Sequence, residues 1–80
     1  MSVLENQLKA IVAEVAEMDD PSSIATDTNL QQDLGINSLK GLEIILMVEE
    51  NLGIRVPHEA LYKIQSFGDI LAAAEKDSAK

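Results

Sequence analysis

The sequence predicts an all-α protein, a small bundle of three main helices plus one short helix. Three observations predict it. Apolar residues recur at helical spacing in the first stretch and in the middle of the chain. Helix-start and helix-stop residues bracket the periodic stretches. The stretch Ile54-Arg55-Val56 is short and β-branched but has no visible mate, so it reads as loop rather than strand.

The first helix is expected from about Val3 to Glu17. Leu4, Leu8, Ile11, Val12 and Val15 make one face, and Glu5, Gln7, Lys9, Glu14 and Glu17 make the other. Asp19-Asp20-Pro21 is expected to stop it, because proline cannot continue a helix and acids are disfavoured at its negative end. From Pro21 to Asn37 the period is lost and Ser, Thr, Asp and Asn dominate, as in a loop. Ile24, Leu30 and Leu34 are expected to pin that loop to the core, with a helical turn near Leu30 to Asp33.

The second helix is expected from Ser38 to about Leu52, capped by Asn37 and stopped by Gly53. At 3.6 residues per turn its apolar positions split into two stripes. Ile44, Ile45, Val48 and Leu52 form a buried arc that includes Gly41, whereas Leu39, Leu42 and Leu46 form a second stripe bordered by Glu43, Glu49 and Glu50. A helix apolar on two sides is either buried on both or keeps one side for a partner, and in so small a domain the second reading stands at least level with the first. Pro57 opens a short helix to about Tyr62. The last helix begins at Ser66, where Ser66-Phe67-Gly68-Asp69 is a near capping box. Phe67, Ile70, Leu71 and Ala74 form its inner face, and the tail is expected to fray from about Asp77.

Eighty residues make a single domain, 1–80, with an aliphatic core, since Tyr62 and Phe67 are its only aromatic residues. A net charge of −8 argues against nucleic acid and for basic patches on partners. With no cysteine there is no disulfide or thiolate metal site, and any thiol chemistry comes from an attached group. No signal peptide is evident, and Ile44 to Val48, as long as any apolar run in the chain, is far short of a membrane span, so the cytoplasm is the expected compartment.

The chain carries little chemistry of its own. Ser38 lacks the partners of a nucleophile: the flanking residues do not spell Gly-x-Ser-x-Gly, Lys40 is too close for Ser-x-x-Lys, and His58 is the only histidine. Asp27-Thr28-Asn29 opens like a calcium loop, but no glycine or terminal glutamate follows in register. No phosphate-binding glycine loop or zinc-ligand spacing is present. What Ser38 does have is a place at a helix N-terminus, where free N–H groups and the dipole favour an anion.

Leu34-Gly35-Ile36-Asn37-Ser38-Leu39, then Gly41-Leu42-Glu43-Ile44-Ile45 and Glu49-Glu50, resembles the acyl carrier protein family. The resemblance continues through Ile54-Arg55-Val56-Pro57 and Ile64-Gln65-Ser66-Phe67, and back to the first helix, so it covers nearly the whole chain. In that family a serine in an Asp-Ser-Leu motif carries 4′-phosphopantetheine through a phosphodiester, and Ser38 occupies that position. The resemblance implies an acyl-carrier-like bundle and a discrete, monomeric, non-enzymatic carrier. A phosphopantetheinyl transferase supplies the arm, and the arm's thiol holds acyl intermediates for fatty-acid or polyketide-type synthesis. Asp33, Gly35 and Asn37 support the attachment site. Leu39, Lys40, Leu42, Glu43, Leu46, Glu49 and Glu50 meet acyl-transferring and synthase enzymes that carry basic patches. A cleft between helices is expected to shelter a lipid chain.

Two positions depart from the family pattern. Asn37 replaces the usual aspartate, which keeps the cap but loses a charge. Lys40 often corresponds to an acidic residue in fatty-acid carriers. It either pairs with Glu43, or selects partners of a specialised carrier, or sits near the arm's phosphate. The alternatives are an aminoacyl or peptidyl carrier and, in a different class, a helical adaptor binding noncovalently through the leucine stripe. An adaptor gains no mass from a transferase, whereas a carrier gains one phosphopantetheine.

Overall fold

The computed structural model describes residues 3–78. It contains α1 (Val3–Val15), α2 (Ser38–Leu52) and α3 (Phe67–Ser78), with 3₁₀ turns at Pro21–Ser23 and His58–Tyr62. α1 packs against α2, α3 and the first 3₁₀ turn, and the second 3₁₀ turn packs against α2. The buried core is one continuous cluster in which Leu8, Val12, Ile44, Ile45, Val48, Phe67 and Ala74 are fully enclosed.

α1 ends at Val15, two residues before the sequence suggests, and Asp19-Asp20-Pro21 is not what stops it. Glu17 adopts a left-handed conformation at φ 59°. Its N–H bonds the Glu14 carbonyl at 3.2 Å, and the Met18 N–H bonds that of Ala13 at 2.8 Å. This is a Schellman closure with glutamate at the position that usually holds glycine. Asp20 instead caps the first 3₁₀ turn, accepting from the Ser22 hydroxyl at 2.6 Å and the Ser22 N–H at 3.0 Å. Those two bonds, the hydroxyl's foremost, hold the Asp20 carboxyl below its ordinary pKa.

The long loop is fixed by backbone hydrogen bonds as well as by its apolar pins. Leu30 N–H bonds Gln65 O, Phe67 N–H bonds Thr28 O and Gly68 N–H bonds Thr26 O, at 2.8–2.9 Å. Asn29 and Ser66 thereby form an isolated antiparallel bridge. Ile24 and Leu30 are buried beneath this zipper and Leu34 is half-buried. A helical turn forms over 30–34, where the sequence places one.

α2 matches its expected bounds. Asn37 Oδ1 accepts from the Lys40 N–H at 2.9 Å, and Gly53 ends the helix at φ 66°. Leu52 is half-buried rather than buried, because it lies in the last turn, at the edge of the core cluster. Pro57 sits one residue before its 3₁₀ turn in extended conformation (φ −60°, ψ 137°) instead of inside a helix. Ile54 and Val56 are buried in the loop between.

α3 begins at Phe67, one residue after its cap. Asp69 Oδ2 accepts from the N–H groups of Gln65 at 3.0 Å and Ser66 at 3.1 Å, and Ser66 Oγ accepts from the Asp69 N–H at 3.3 Å. The reciprocal capping box therefore forms with aspartate. The N–H of Gln65, then that of Ser66, hold the Asp69 carboxyl below its ordinary pKa. α3 continues through Ser78, past the point where the tail is expected to fray, and residues 79–80 lie outside the described residues.

Candidate functional site

The approach to Ser38 is built by short-range hydrogen bonds. Asn29 Oδ1 accepts from the N–H groups of Gln31 at 3.0 Å and Gln32 at 2.7 Å, and Asp33 Oδ2 accepts from the Asn29 N–H at 2.8 Å. Asp33 thus reaches the site indirectly, by holding the turn that delivers the chain to α2. Gly35 closes that turn at φ 67°, with its N–H bonded to Gln31 O at 3.1 Å. A β-carbon there would meet no atom within 4 Å, so the glycine serves the backbone conformation and not the space. Ile36 then turns inward and is buried, while Asn37 is exposed and caps α2.

Ser38 follows as the first residue of α2 and is exposed. The N–H groups of Ser38 and Leu39 have no preceding helical carbonyl to bond, as at any helix start. The Lys40 N–H is taken by Asn37. A tetrahedral anion esterified to Ser38 Oγ would therefore sit at the positive end of the α2 dipole. Beside it opens a cavity of about 190 Å³. Exposed Gln31 and Asn37 line it together with Leu30, Ile36, Leu61 and Ile64.

α2 divides as the periodicity predicts in its centre. Ile44, Ile45 and Val48 are fully buried, whereas Leu39 is 69% and Leu46 41% exposed. Leu42 and Lys40 are half-buried, as is Glu49, while Glu43 and Glu50 are exposed. An exposed leucine pair with exposed acids beside it is thus presented next to Ser38.

The residues expected at this site lie on α2 and, with Asp33, Gly35 and Asn37, on the loop that leads into it. The opposite wall comes from the second 3₁₀ turn, where Tyr62 is 91% exposed and lines the cavity with Leu61. Helical periodicity carries no information about that wall. The available signal is Gly41, since glycine inside a helix costs about 1 kcal/mol relative to alanine. A β-carbon at Gly41 would lie 2.8 Å from Leu61 Cδ2, so the glycine permits the close approach of the turn.

Among the described residues no group of three His, Cys, Asp or Glu side chains could hold a metal ion. Among the same residues no helix is long and apolar enough to cross a membrane.

The three-helix bundle thus offers an exposed serine at a capped helix start beside a cavity. The family model for the phosphopantetheine attachment site matches residues 6–74, and the chain belongs to that family, the acyl carrier proteins. It is similar to the acyl carrier protein of Akkermansia muciniphila, 32% identical over 73 residues, which is 91% of this chain and 90% of that one. The acyl carrier protein of Rhodococcus erythropolis is 37% identical over 70 residues, covering 88% of this chain and 76% of its own. The meromycolate extension acyl carrier protein of Mycobacterium tuberculosis is 32% identical over 79 residues, covering 95% and 69%. Proteins of this family are carriers rather than enzymes, and their domain holds 4′-phosphopantetheine covalently. They work with a phosphopantetheinyl transferase and with synthases. The exposed Ser38, the anion-favouring helix end and the adjoining cavity fit that group.

Proposed function

We propose that Ser38 is the attachment residue, and that this chain is a discrete, monomeric, single-domain carrier working in the cytoplasm for fatty-acid or polyketide-type synthesis. The observation that carries the reading is Ser38, exposed at the Asn37-capped start of α2 and lining the cavity. In the attachment step, Ser38 Oγ bonds to the phosphorus of coenzyme A that bears pantetheine. The pyrophosphate bond breaks, 3′,5′-adenosine bisphosphate leaves, and a base takes the serine proton. The terminal thiol then holds acyl groups as thioesters.

The roles of the chain's own residues follow. Asn37 fixes the first turn, and Asp33 and Gly35 set the direction from which it is entered. Leu39, Leu42 and Leu46 give partner enzymes an apolar centre. Glu43, Glu49 and Glu50 give basic docking patches a charged rim that governs association rate. Lys40 in the first turn and Asn37 in place of aspartate support a specialised role. In keeping with that, one similar relative carries the name of a carrier for meromycolate extension.

The test is intact mass after incubation with coenzyme A and a permissive transferase. The native chain gains one phosphopantetheine, and Ser38→Ala stays helical and gains none. A native chain that gains nothing yet binds partners through the leucine stripe is a noncovalent adaptor instead. Lys40→Asp tests the specialised role. It should improve use by ordinary fatty-acid enzymes, and unchanged rates would reduce Lys40 to a surface charge.

A further inference from the structure

α2 starts without the anion that its dipole favours. Its first turn holds no acidic residue, whereas α1 has Glu5 and α3 has Asp69 in theirs. The cap is the neutral Asn37, and its Oδ1 is taken by the Lys40 N–H at 2.9 Å. Lys40 then adds a cation where the helix end is already positive. The pairing with Glu43 that the spacing allows does not form. Among the described residues Lys40 has no carboxylate within ion-pairing distance.

Lys40 is nevertheless placed to meet an anion at the helix end. It is the third residue of α2, and side chains of a helix tilt toward its N-terminus. The third position is also the one whose side chain reaches back over the cap in a capping box. Residues two apart do not face each other along the flank of a helix. Ser38 and Lys40 can therefore meet only through a group that stands off the helix end, as a phosphate esterified to Ser38 Oγ would. Nothing else at that end balances such a charge. None of the residues that line the adjoining cavity is charged. Asp33, the acid nearest in the chain, has Oδ2 engaged with the Asn29 N–H. Lys40 is half-buried, so less side-chain freedom is left to lose when it pairs.

We propose that Lys40 is a positioning residue for the arm. Its ammonium pairs with the phosphodiester on Ser38, and attachment supplies the anion that the start of α2 lacks. The inference rests on the reading that Ser38 carries the arm. Asn37 belongs to the same arrangement, because a carboxylate at the cap would repel the phosphate and compete for Lys40. The two departures from the family pattern thus act together. They make the loaded chain more stable than the unloaded one, and they restrain the root of the arm.

The experiment compares unloaded and loaded forms of the full chain, Lys40→Gln, Lys40→Arg and Asn37→Asp. Intact mass establishes whether each preparation carries no phosphopantetheine or one. Urea midpoints at low salt then give the shift that attachment causes in each protein. In the native chain attachment should raise the midpoint by about 1 M, from the helix end and the ion pair together. Lys40→Gln should keep about half of that shift, since the phosphate still meets the dipole. Lys40→Arg, which keeps the charge, should restore it, and Asn37→Asp should reduce it. In about 1 M sodium chloride the native and Lys40→Gln shifts should converge, because the Debye length falls to about 3 Å. Equal shifts in the native chain and Lys40→Gln at low salt overturn the proposal. So does a difference that persists at high salt, a failure of Lys40→Arg to restore the shift, or an undiminished shift in Asn37→Asp. A chain that takes no phosphopantetheine, or takes it elsewhere than Ser38, contradicts the attachment reading instead, so the two failures are told apart.

Discussion

Replacing Ile45 by alanine measures how α2 is divided between core and partner face. Ile45 is at 0% exposure and its neighbours Ile44 and Val48 are equally enclosed, so little around it can collapse into the space. Truncation of a buried isoleucine costs about 2–5 kcal/mol. A core of this size stabilises the fold by only about 3–5 kcal/mol, so the variant should be close to half-unfolded at room temperature. Leu39 is 69% exposed, and Leu39→Ala should change stability by less than about 0.5 kcal/mol. Urea titration followed by circular dichroism at the helical band separates the two. With a slope of about 1 kcal/mol per molar, Ile45→Ala should lose about 2 M or more in midpoint while Leu39→Ala stays near the native curve. In a domain this small each kcal/mol corresponds to about 4–8 °C in Tm, so a thermal scan gives an independent reading. Equal losses at the two positions would show that both faces of α2 are core and that no side is reserved for partners.

Three further outcomes follow from the same geometry. Glu17→Gly should stabilise the fold by about 0.5–1 kcal/mol in the same urea assay, because glutamate is held at φ 59° where glycine carries no steric penalty; a loss would mean the α1 terminus does not close as described. Asp69 is held below its ordinary pKa of 3.8 by N–H groups that bond its ionised form. Its contribution is therefore complete above that value and is lost as pH falls through the depressed folded value; Asp69→Asn should make stability less dependent on pH below about 4, and an unchanged acid limb would remove Asp69 from that role. Glu43→Lys with Glu50→Lys should slow association with a transferase and flatten its salt dependence while leaving the fold within about 0.5 kcal/mol, and an unchanged association rate would place the docking surface elsewhere.

Much of this was legible in the sequence because it is written in local signals. Asn37 and Gly53 mark both ends of α2, and the spacing of Ile44, Ile45 and Val48 marks its buried side. Ser66 and Asp69 mark the start of α3 even with aspartate in place of glutamate. What escaped is non-local or runs against residue preference. Nothing in Glu17 announces a left-handed residue, so α1 reads two residues too long. The zipper that joins Thr26 to Leu30 with Gln65 to Gly68 pairs segments far apart in the chain through backbone atoms, which leave no side-chain pattern. The cavity is half-visible for the same reason. Ser38 and Asn37 stand in a motif, but Leu61, Tyr62 and Ile64 join them only once the second 3₁₀ turn has packed on Gly41.

The attachment of the arm is tested most directly by locating it. The native chain, incubated with coenzyme A and a transferase, is digested and its peptides fragmented by mass spectrometry. The account predicts a single phosphopantetheine, on the peptide containing Asn37-Ser38-Leu39, with the fragment ions placing it on Ser38. Phosphopantetheine on Ser22, Ser23, Ser66 or Ser78, or an unmodified Ser38 in a chain that has gained the group, would contradict it.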